Sequence, residues 1–326
     1  MIPFHGSQPA KPEGHYESWF LRGNHPHKPQ AFWIRYTRFI PGDKKRKPLG
    51  EIWAIWFDGD EDRIVTVKEE FPLDSCQFAS DRLQVHIGDC ALRDHQLHGG
   101  ADLNGHRIEW ALSYQGDDRS ILFLPENLYP ARLPRAKSVV SRPQVTFTGE
   151  LVVDGERMAV DGWPGSENHN WGSRHTDQYA WGQVAAFDNA PDAFLECITA
   201  QVKIGPIPSP WMSIAVLRIG EEEFLFNSLG QAFRANGRYT FFDWSLQSAQ
   251  GDARLDVQFH AAPRHFTALT YYNPSRGNKT CLNSKIARCQ ATLTRPGQAP
   301  VVLSSLHGAA FEILTDRTDH GRPLMT

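Results

Sequence analysis

The sequence predicts an all-β protein built from many antiparallel strands. Ile108, Trp110, Leu112 and Tyr114 alternate with smaller or polar neighbours, which is the two-residue period of a half-buried strand. The 26 Gly and 22 Pro residues interrupt long helices, whereas the 10 Trp, 8 Tyr and 19 Phe residues favour pleated surfaces. Most segments of the chain follow the same alternation, so helices are expected to be scarce.

Individual elements follow from local patterns. Leu255, Val257 and Phe259 alternate with polar residues, and residues 52–57 are apolar on both faces, which predicts a strand covered on both sides. Hairpin turns are expected at 58–59, 104–105, 154–155 and 236–237, where Asp-Gly and Asn-Gly dipeptides supply positive φ. The best short helical candidate is 309–314.

A chain of 326 residues is long enough for two β-domains. Residues 124–141 contain three prolines, which suit a crossing segment better than a strand. We therefore expect an N-terminal domain over 1–135 and a C-terminal domain over 136–326. Each is expected to be an antiparallel barrel or sandwich, because closure removes exposed strand edges.

Composition narrows the class of protein. The 34 basic and 37 acidic side chains give a net charge of -3, which does not favour nucleic-acid binding. The only basic cluster, 44–47, reads as a solvated hairpin tip. No apolar run reaches about 18 residues, and the N-terminus lacks a signal-peptide pattern, so neither a transmembrane segment nor secretion is expected. Five widely spaced cysteines read as reduced, mostly buried thiols in a cytoplasmic protein. Peripheral membrane contact and the oligomeric state stay open.

The segment 166–183 has the highest density of candidate functional residues in the chain. Between a Pro-Gly turn and an apolar strand it gathers two His, two carboxylates, an Arg and several amides beside aromatic rings. Polar groups that converge in an aromatic-walled cavity are typical of small-molecule sites. The residues of this segment are therefore expected to line one ligand cavity.

Four residues of the segment are candidate catalytic groups. In an extended backbone His169, Trp171 and His175 share one face, and both imidazoles can act as general acid or base. Glu167 and Asp177 can do the same if burial raises their pKa values, or they can orient an imidazole. The spacing matches no zinc motif, so no metal is expected.

Six further residues are candidate ligand contacts. Tyr179, Trp181 and Gln183 share one face of the strand that follows residue 178. Asn170 and Trp171 belong to the extended segment before it. Gln183 is either a ligand partner or a core amide satisfied by protein groups, and the sequence leaves both readings open. Arg35, beside Trp33, is either an inward-facing functional residue or a rim arginine stacked on the indole.

Several motifs resemble those of AttH-like proteins. The matching residues are 17–21 (Glu-Ser-Trp-Phe-Leu), 31–37 (Ala-Phe-Trp-Ile-Arg-Tyr-Thr), 51–58 (Glu-Ile-Trp-Ala-Ile-Trp-Phe-Asp), 168–172 (Asn-His-Asn-Trp-Gly) and 179–183 (Tyr-Ala-Trp-Gly-Gln). That superfamily includes carotenoid 1,2-hydratase (hydroxyneurosporene synthase), tocopherol cyclase and lipocalin-like Diels–Alderases. The resemblance implies two calycin-like, lipocalin-type barrels in tandem, with a ligand pocket at their interface or at a barrel mouth. Characterised members act on apolar polyenes, prenylated phenols or polyketides without a redox cofactor.

Two functions are compatible with these observations. The first is a cofactor-independent enzyme of hydratase, cyclase or isomerase type, a lyase or isomerase that starts by protonating an isoprenoid- or polyketide-like substrate. The second is a non-catalytic lipocalin-like carrier of a hydrophobic small molecule, which needs only the pocket. A carboxyl group with a raised pKa inside a closed pocket would favour the enzyme.

Overall fold

The described chain is almost entirely antiparallel β-structure, as the alternating sequence predicts. The structure is a computed structural model that describes residues 3–43, 45–204, 207–275 and 277–326. Within these ranges the only α-helix is α1 (Leu229–Arg234), which begins with a capping box at Ser228. Short 3-10 turns occur at Leu73–Ser75, Glu126–Leu128 and Pro263–His265. None of the described helices is long or apolar enough to span a membrane.

The first sheet contains the strands of the N-terminal half. They are β1 (His15–Asn24), β2 (Gln30–Ile40), β3 (Leu49–Asp58), β4 (Arg63–Pro72), β5 (Cys76–Phe78), β6 (Gln84–Ile87), β7 (Cys90–Arg93), β8 (Gln96–Leu103), β9 (His106–Gly116), β10 (Ile121–Leu122), β11 (Ala136–Val153) and β12 (Glu156–Gly172). The main order is β4-β3-β2-β1-β12-β11-β9-β8-β7-β6-β5. Because β4 also lies against β8 and β9, the sheet curls into a nearly closed barrel.

The second sheet and a small hairpin complete the fold. The strands are β13 (Gln178–Val184), β14 (Ala193–Gln201), β15 (Lys203–Ile204), β16 (Ile207–Pro208), β17 (Met212–Ile219), β18 (Glu222–Phe226), β19 (Asn236–Tyr239), β20 (Asp243–Gln250), β21 (Ala253–His260), β22 (Thr267–Tyr272), β23 (Asn278–Thr294) and β24 (Val301–Thr315). The main order is β18-β17-β14-β13-β24-β23-β21-β20-β19, β22 pairs with β23, and β15 pairs with β16. The prediction of an all-β chain with two tandem barrel- or sandwich-like units is confirmed.

Local predictions succeed where the pattern of alternation is long. Residues 52–57 lie in β3 and are buried on both faces, and the alternating segments 107–114 and 255–259 lie in β9 and β21. The Asn104-Gly105 and Asp154-Gly155 turns have positive φ at both positions. Residues 45–47 lie in the connection between β2 and β3, as expected for a hairpin tip, while Lys44 lies outside the described residues. All five cysteines are free, and four are buried.

Two local predictions were wrong. Residues 309–314 form part of strand β24, not a helix, because they pair with β13 on one side and with β23 on the other. Asn236-Gly237 is not a turn, since both residues lie in β19. A Cβ at Gly237 would lie 2.0 Å from Thr199 Oγ1, so this glycine allows close packing instead of a reversal of the chain.

The change of sheet does not fall at the predicted boundary. Strands β11 and β12 follow residue 135, yet they pair with β9 and β1 and complete the first sheet. The two sheets divide between Gly172 and Gln178, so the segment 124–141 is a crossing within the first unit. A division of the chain into 1–135 and 136–326 would therefore separate β11 and β12 from the other strands of the first sheet.

Alternation along β1, β2 and β3 determines which of their side chains face the second sheet. Trp19, Phe32 and Ile52 point into the core of the first barrel. Their neighbours Phe20, Trp33 and Trp53 point the other way, toward the second sheet. These strands are therefore buried on both faces and contribute to two layers at once.

Candidate functional site

A mixed aromatic and polar layer separates the two sheets. We call it the intersheet layer, and its apolar members are Phe20, Ala31, Trp33, Trp53, Ile55, Phe57, Trp181, Leu269, Tyr271, Cys281, Ile286, Ala310 and Leu314. Both sheets contribute, since the set comes from β1–β3 on one side and from β13, β22, β23 and β24 on the other. The layer also buries charged side chains, which is costly unless they are paired.

A narrow cleft lies in this layer, and we call it the Arg35 cleft. As it stands it has no room for a water molecule, and it is lined by Tyr16, Arg35, Thr37, Phe39, Glu51, Trp53, His175, Tyr271 and Tyr272. The walls are mainly aromatic, and charged or titratable groups converge between them. The side chains are closely packed, so a ligand can enter only if some of them move.

Arg35 is the only cation that lines the cleft among the described residues. Its guanidinium donates from Nη2 to Ser18 Oγ at 2.7 Å, and its central carbon lies 4.4 Å from the ring centroid of Tyr271. Burial lowers the pKa of Arg35, but the nearby Tyr271, Glu51 and Glu312 outweigh it and the net shift is upward. Arg35 therefore stays charged and is an inward-facing residue, not a rim arginine.

Two donors at the cleft have no partner. Arg35 Nε and Trp53 Nε1 are buried and make no hydrogen bond with any described residue. Glu51 Oε1 also lacks a hydrogen bond, although Lys68 Nζ lies 2.9 Å from it as an ion-pair partner. Buried donors are normally satisfied, and an unsatisfied one costs about 1–3 kcal/mol. Arg35 and Trp53 are therefore prepared to donate to a group that enters the cleft.

His175 is the imidazole of the cleft. It follows the end of β12 and stacks on Tyr16, with ring centroids 3.8 Å apart. Burial and the positive charge of Arg35 lower its pKa to about 3. The imidazole is therefore neutral at physiological pH, and so low a pKa makes it a weak base as well as excluding it as the initial proton donor.

Glu196 is a buried carboxyl group on the same side of the second sheet as Trp181. Trp181 Nε1 donates to Glu196 Oε1 at 2.7 Å, whereas Glu196 Oε2 has no partner among the described residues. Burial raises its pKa to about 7, and the hydrogen bond from Trp181 and the charge of Arg22 only partly offset this. A protonated carboxyl group of this kind is a candidate general acid.

A buried ion pair connects β23 and β24 inside the layer. Lys285 Nζ donates to Glu312 Oε1 and to Asn283 Oδ1, each at 2.6 Å. The ammonium also lies 5.5 Å from the Trp33 ring and 5.6 Å from the Trp181 ring. Tyr179 is nearby, with its hydroxyl 3.4 Å from Glu312 Oε2.

Gln183 is fully satisfied by protein groups. Its Oε1 accepts from Arg22 Nε at 2.9 Å and from Ser166 Oγ at 2.7 Å, and its Nε2 donates to Asn168 Oδ1 at 2.7 Å. These contacts join β13 to β1 and β12 across the layer. The core-amide reading of Gln183 is therefore favoured over the ligand-partner reading.

Glu167, His169 and Trp171 lie elsewhere, on the opposite face of β12. Glu167 accepts from Tyr114 at 2.8 Å and from Arg142 at 2.5 Å. His169 stacks on Trp19, with centroids 4.7 Å apart. This group lines the open end of the first barrel and is separated from the intersheet layer by strand β12 itself.

Asn170 and Asp177, the remaining predicted site residues, lie in different surroundings. Asn170 faces the layer, and its Oδ1 has no partner among the described residues. Asp177 holds a loop instead, because it accepts from the Arg174 side chain and, at 2.7 Å, from the backbone of Lys203. His175 turns away from His169 because the strand ends at Gly172, so the face-sharing prediction fails beyond Trp171.

The sequence did not identify Glu196, Lys285, Glu312 or Tyr271. A usable signal existed for the first three, since each is a charged residue inside an otherwise apolar or uncharged strand segment. A charge that alternation assigns to a buried face is costly, and so it indicates pairing or function.

A group of potential metal ligands occurs at the barrel end. Atoms of His5, Asp94 and Glu167 lie within 4.8 Å of one another. Arg142 already contacts both carboxylates, at 2.7 Å from Asp94 and 2.5 Å from Glu167. A guanidinium in this position competes with a divalent cation, so the group does not favour a metal site, and the expectation of no metal stays a prediction.

A larger open groove occurs on the outer face of the second sheet. It has a volume of about 440 Å³ and is lined by exposed polar residues such as Arg238, Gln258 and Arg288. None of the predicted site residues lies there. Exposed polar side chains are normal on the solvated face of an antiparallel sheet, so the Arg35 cleft remains the better candidate.

Comparisons with known proteins agree with the fold. No protein-family model matches the sequence, nor does any curated protein. A solved structure of a Nitrosomonas europaea protein provisionally assigned as AttH is similar, with a TM-score of 0.61, 14% identity and 95% coverage of both chains. Kievitone hydratase from Nectria haematococca has a TM-score of 0.59 and 12% identity over 97% of this chain and 94% of its own. CghA has a TM-score of 0.56 and 10% identity over 94% and 89%. The chain therefore shares the fold of AttH-like proteins over nearly its whole length, as the resemblance in its motifs predicted.

Proposed function

We propose that the protein is a cofactor-independent enzyme of hydratase, cyclase or isomerase type, acting on a hydrophobic isoprenoid- or polyketide-like molecule. The observation that carries this proposal is the Arg35 cleft. There, the unpartnered donors of Arg35 and Trp53 meet a neutral imidazole between aromatic walls. Such a site can hold an oxygen of the substrate while rings cover its carbon skeleton.

The residues of the layer suggest distinct roles in proton transfer. Arg35 binds and polarises a carbonyl or phenol oxygen, and it stabilises negative charge that develops there. His175, whose neutral imidazole is a weak base in this setting, holds a hydroxyl group or a water molecule against the substrate by a hydrogen bond. Glu196 is the candidate donor for a reaction that starts by protonation, and the faces of Trp33 and Trp181 can stabilise positive charge on the substrate. His175 thus becomes a candidate positioning group, and Glu196 replaces residues 166–183 as the candidate acid.

The name of one neighbour supports this class of reaction only indirectly. It is a hydratase that shares the fold at 12% sequence identity. A fold alone does not define a reaction, so the residues of the cleft carry the argument. The alternative of a non-catalytic carrier is favoured by the aromatic walls, which by themselves suffice for binding.

Two measurements test the proposal. Native mass spectrometry of protein isolated from its own host is expected to find a retained hydrophobic molecule. That molecule is then incubated with the protein in oxygen-18 water or deuterium oxide, and label uptake is followed by mass spectrometry. Wild type is expected to incorporate label, whereas His175→Phe is expected to bind the molecule and to incorporate label at least about 100-fold more slowly.

A matched control is His98→Phe, because His98 is an exposed imidazole on β8. It is expected to behave as wild type does. If wild type binds the molecule tightly without label uptake or any other conversion, the carrier function is favoured and the enzyme proposal is rejected. Loss of binding in Arg35→Met, with unchanged binding in an Arg157→Met control, would locate the ligand at the cleft.

A further inference from the structure

A second set of buried charged groups lies at the open end of the first barrel. It consists of Glu17, Tyr114, Arg142, Glu167, His169 and Trp171, and we call it the barrel chamber. Glu17, Glu167 and His169 are completely buried, and Arg142 is 1% exposed. None of these residues lines the Arg35 cleft, because they face the interior of the first barrel.

The chain itself fills this chamber with residues 3–8, which we call the strap. The ring of Phe4 stacks on Tyr129 at 4.9 Å and contacts Trp171 at 5.3 Å between centroids. His5 Nε2 lies 2.7 Å from Glu167 Oε1. The strap thus presents an aromatic ring and a neighbouring imidazole to the chamber.

The strap also completes the hydrogen bonds of the other buried carboxylate. Glu17 accepts from Ser7 Oγ at 2.7 Å and from the backbone N–H of Gln8 at 2.6 Å. His169 donates from Nδ1 to the carbonyl of Phe4 at 2.6 Å and from Nε2 to Glu17 at 3.0 Å. Both partners of His169 are acceptors, and the strap supplies one of them.

Glu167 shares its guanidinium partner with two exposed carboxylates. Arg142 is shared by Glu167, Asp94 and Asp118, with distances of 2.5, 2.7 and 2.6 Å. Burial raises the pKa of Glu167, but the hydrogen bond and charge of His5, together with Arg142 and Tyr114, outweigh it and hold the value at about 2. The carboxylate is therefore ionised while the strap is in place, and it contacts the imidazole of His5 beside the guanidinium of Arg142.

Two features indicate that the strap is held in place by the chamber. Phe4 has φ of 55°, a left-handed conformation that costs a bulky residue about 1–3 kcal/mol. In addition, His15 and Trp19 are buried near the chamber, and their ring nitrogens have no hydrogen-bond partner among the described residues. The strap thus occupies the chamber under strain and leaves nearby polar groups unsatisfied.

We propose that the barrel chamber is a binding site for an aromatic cation, and that the strap occupies it as a built-in substitute for that ligand. The ligand packs its ring against Tyr129 and Trp171, where Phe4 lies, and places its ammonium on Glu167, where His5 lies. This site is separate from the Arg35 cleft, so either proposal can fail alone.

The probe for this site is 2-phenylethylammonium, which combines an aromatic ring and a cation in one small molecule. Its binding is measured by isothermal titration calorimetry to wild type and to Phe4→Ala/His5→Ala, which removes both strap side chains. The double variant is expected to bind at least about tenfold more tightly than wild type, because the probe no longer competes with the strap. Adding Glu167→Gln is expected to remove that binding, and 3-phenylpropionate, an anion of similar size, is expected not to bind.

A second measurement uses wild type alone, in case the double variant does not fold. The amides of Ser7 and Gln8 are bonded to Ala79 and Glu17, so displacement of the strap should expose them to hydrogen–deuterium exchange. Saturating 2-phenylethylammonium is expected to speed their exchange, and 3-phenylpropionate is not. The proposal is overturned if the folded double variant does not bind the amine or binds it equally well with Glu167→Gln. If that variant does not fold, unchanged exchange in wild type overturns it.

Discussion

Single residues in this protein differ in what their burial implies. Gln183 is buried and completely bonded, Arg35 is buried with one free donor, and Glu196 is buried with one free oxygen. The first pattern is that of a structural group, whereas the other two leave hydrogen-bonding capacity for a ligand. Residue type alone does not separate these cases, because all three interrupt apolar strands in the same way.

Glu196→Gln is expected to change how stability depends on pH. The folded protein keeps the proton of Glu196 up to about pH 7, whereas the ordinary pKa is 4.5. Between these values the folded state binds more protons than the unfolded state, so stability falls as pH rises through this window. The loss from this residue is on the order of 3 kcal/mol.

Urea unfolding at about pH 4.5 and pH 8 measures this effect as a difference between proteins. Wild type is expected to lose stability relative to Glu196→Gln over that range, and Glu61→Gln in the exposed turn between β3 and β4 serves as the control. An equal pH dependence in wild type and Glu196→Gln would show that the carboxyl group ionises normally.

Gln183→Leu is expected to lower the free energy of unfolding by about 3 kcal/mol. The substitution leaves Arg22, Ser166 and Asn168 without a shared partner in a buried layer, and each unsatisfied group is costly. Gln247→Leu, at an exposed position on β20, should change stability by less than about 0.5 kcal/mol. Denaturant unfolding compares the two variants. An unchanged stability of Gln183→Leu would favour the interpretation of Gln183 as a ligand contact.

At the level of elements, strand β12 determines which residues meet. Its even-numbered residues 166–170 face the second sheet and its odd-numbered residues 165–171 face the first barrel. The dense motif therefore splits between two places, the intersheet layer and the barrel chamber. A strand with both faces buried can carry functional groups for two sites.

Gly165→Ala is expected to weaken β12 by about 1–3 kcal/mol or more. A Cβ at this position would lie 1.9 Å from the carbonyl oxygen of Arg22 and 2.7 Å from the Phe147 ring, so two strands would have to separate. The matched control is Gly100→Ala in β8, where the nearest atom is the flexible Glu109 side chain at 3.2 Å. Thermal unfolding of the pair measures the difference, and equal midpoints would contradict the tight approach of β1 and β12.

At the level of the whole molecule, the two sheets are joined by a buried network. Arg22 of β1 bonds to the Gln183 side chain at 2.9 Å, to the Gln183 carbonyl at 3.1 Å and to the Gly308 carbonyl at 3.3 Å. Asn24 extends the network to the carbonyl of Lys285 at 2.7 Å. Together with the aromatic layer, these contacts should make the two units unfold as one.

Arg22→Met tests this coupling. Wild type is expected to unfold in a single transition that near-UV and far-UV circular dichroism report alike. The variant is expected to lose about 3 kcal/mol and to show separate transitions for the two sheets, because acceptors on the second sheet lose their donor. Arg157→Met, whose side chain is 73% exposed, should match wild type. Two transitions in wild type itself would show that the sheets are independent.

The sequence by itself determined the class of fold and the location of the functional signal. Alternation over long stretches predicts strands because side-chain direction in a strand depends only on position along it. Tertiary structure alone decided which strands meet. Pairing placed β11 and β12 in the first sheet, turned 309–314 into a strand, and put His175 beside Arg35 while His169 lies on the other side of β12. The physical reason is that strand pairing joins residues far apart in the chain, such as Arg22 with Gln183, and no local pattern encodes which partner is chosen.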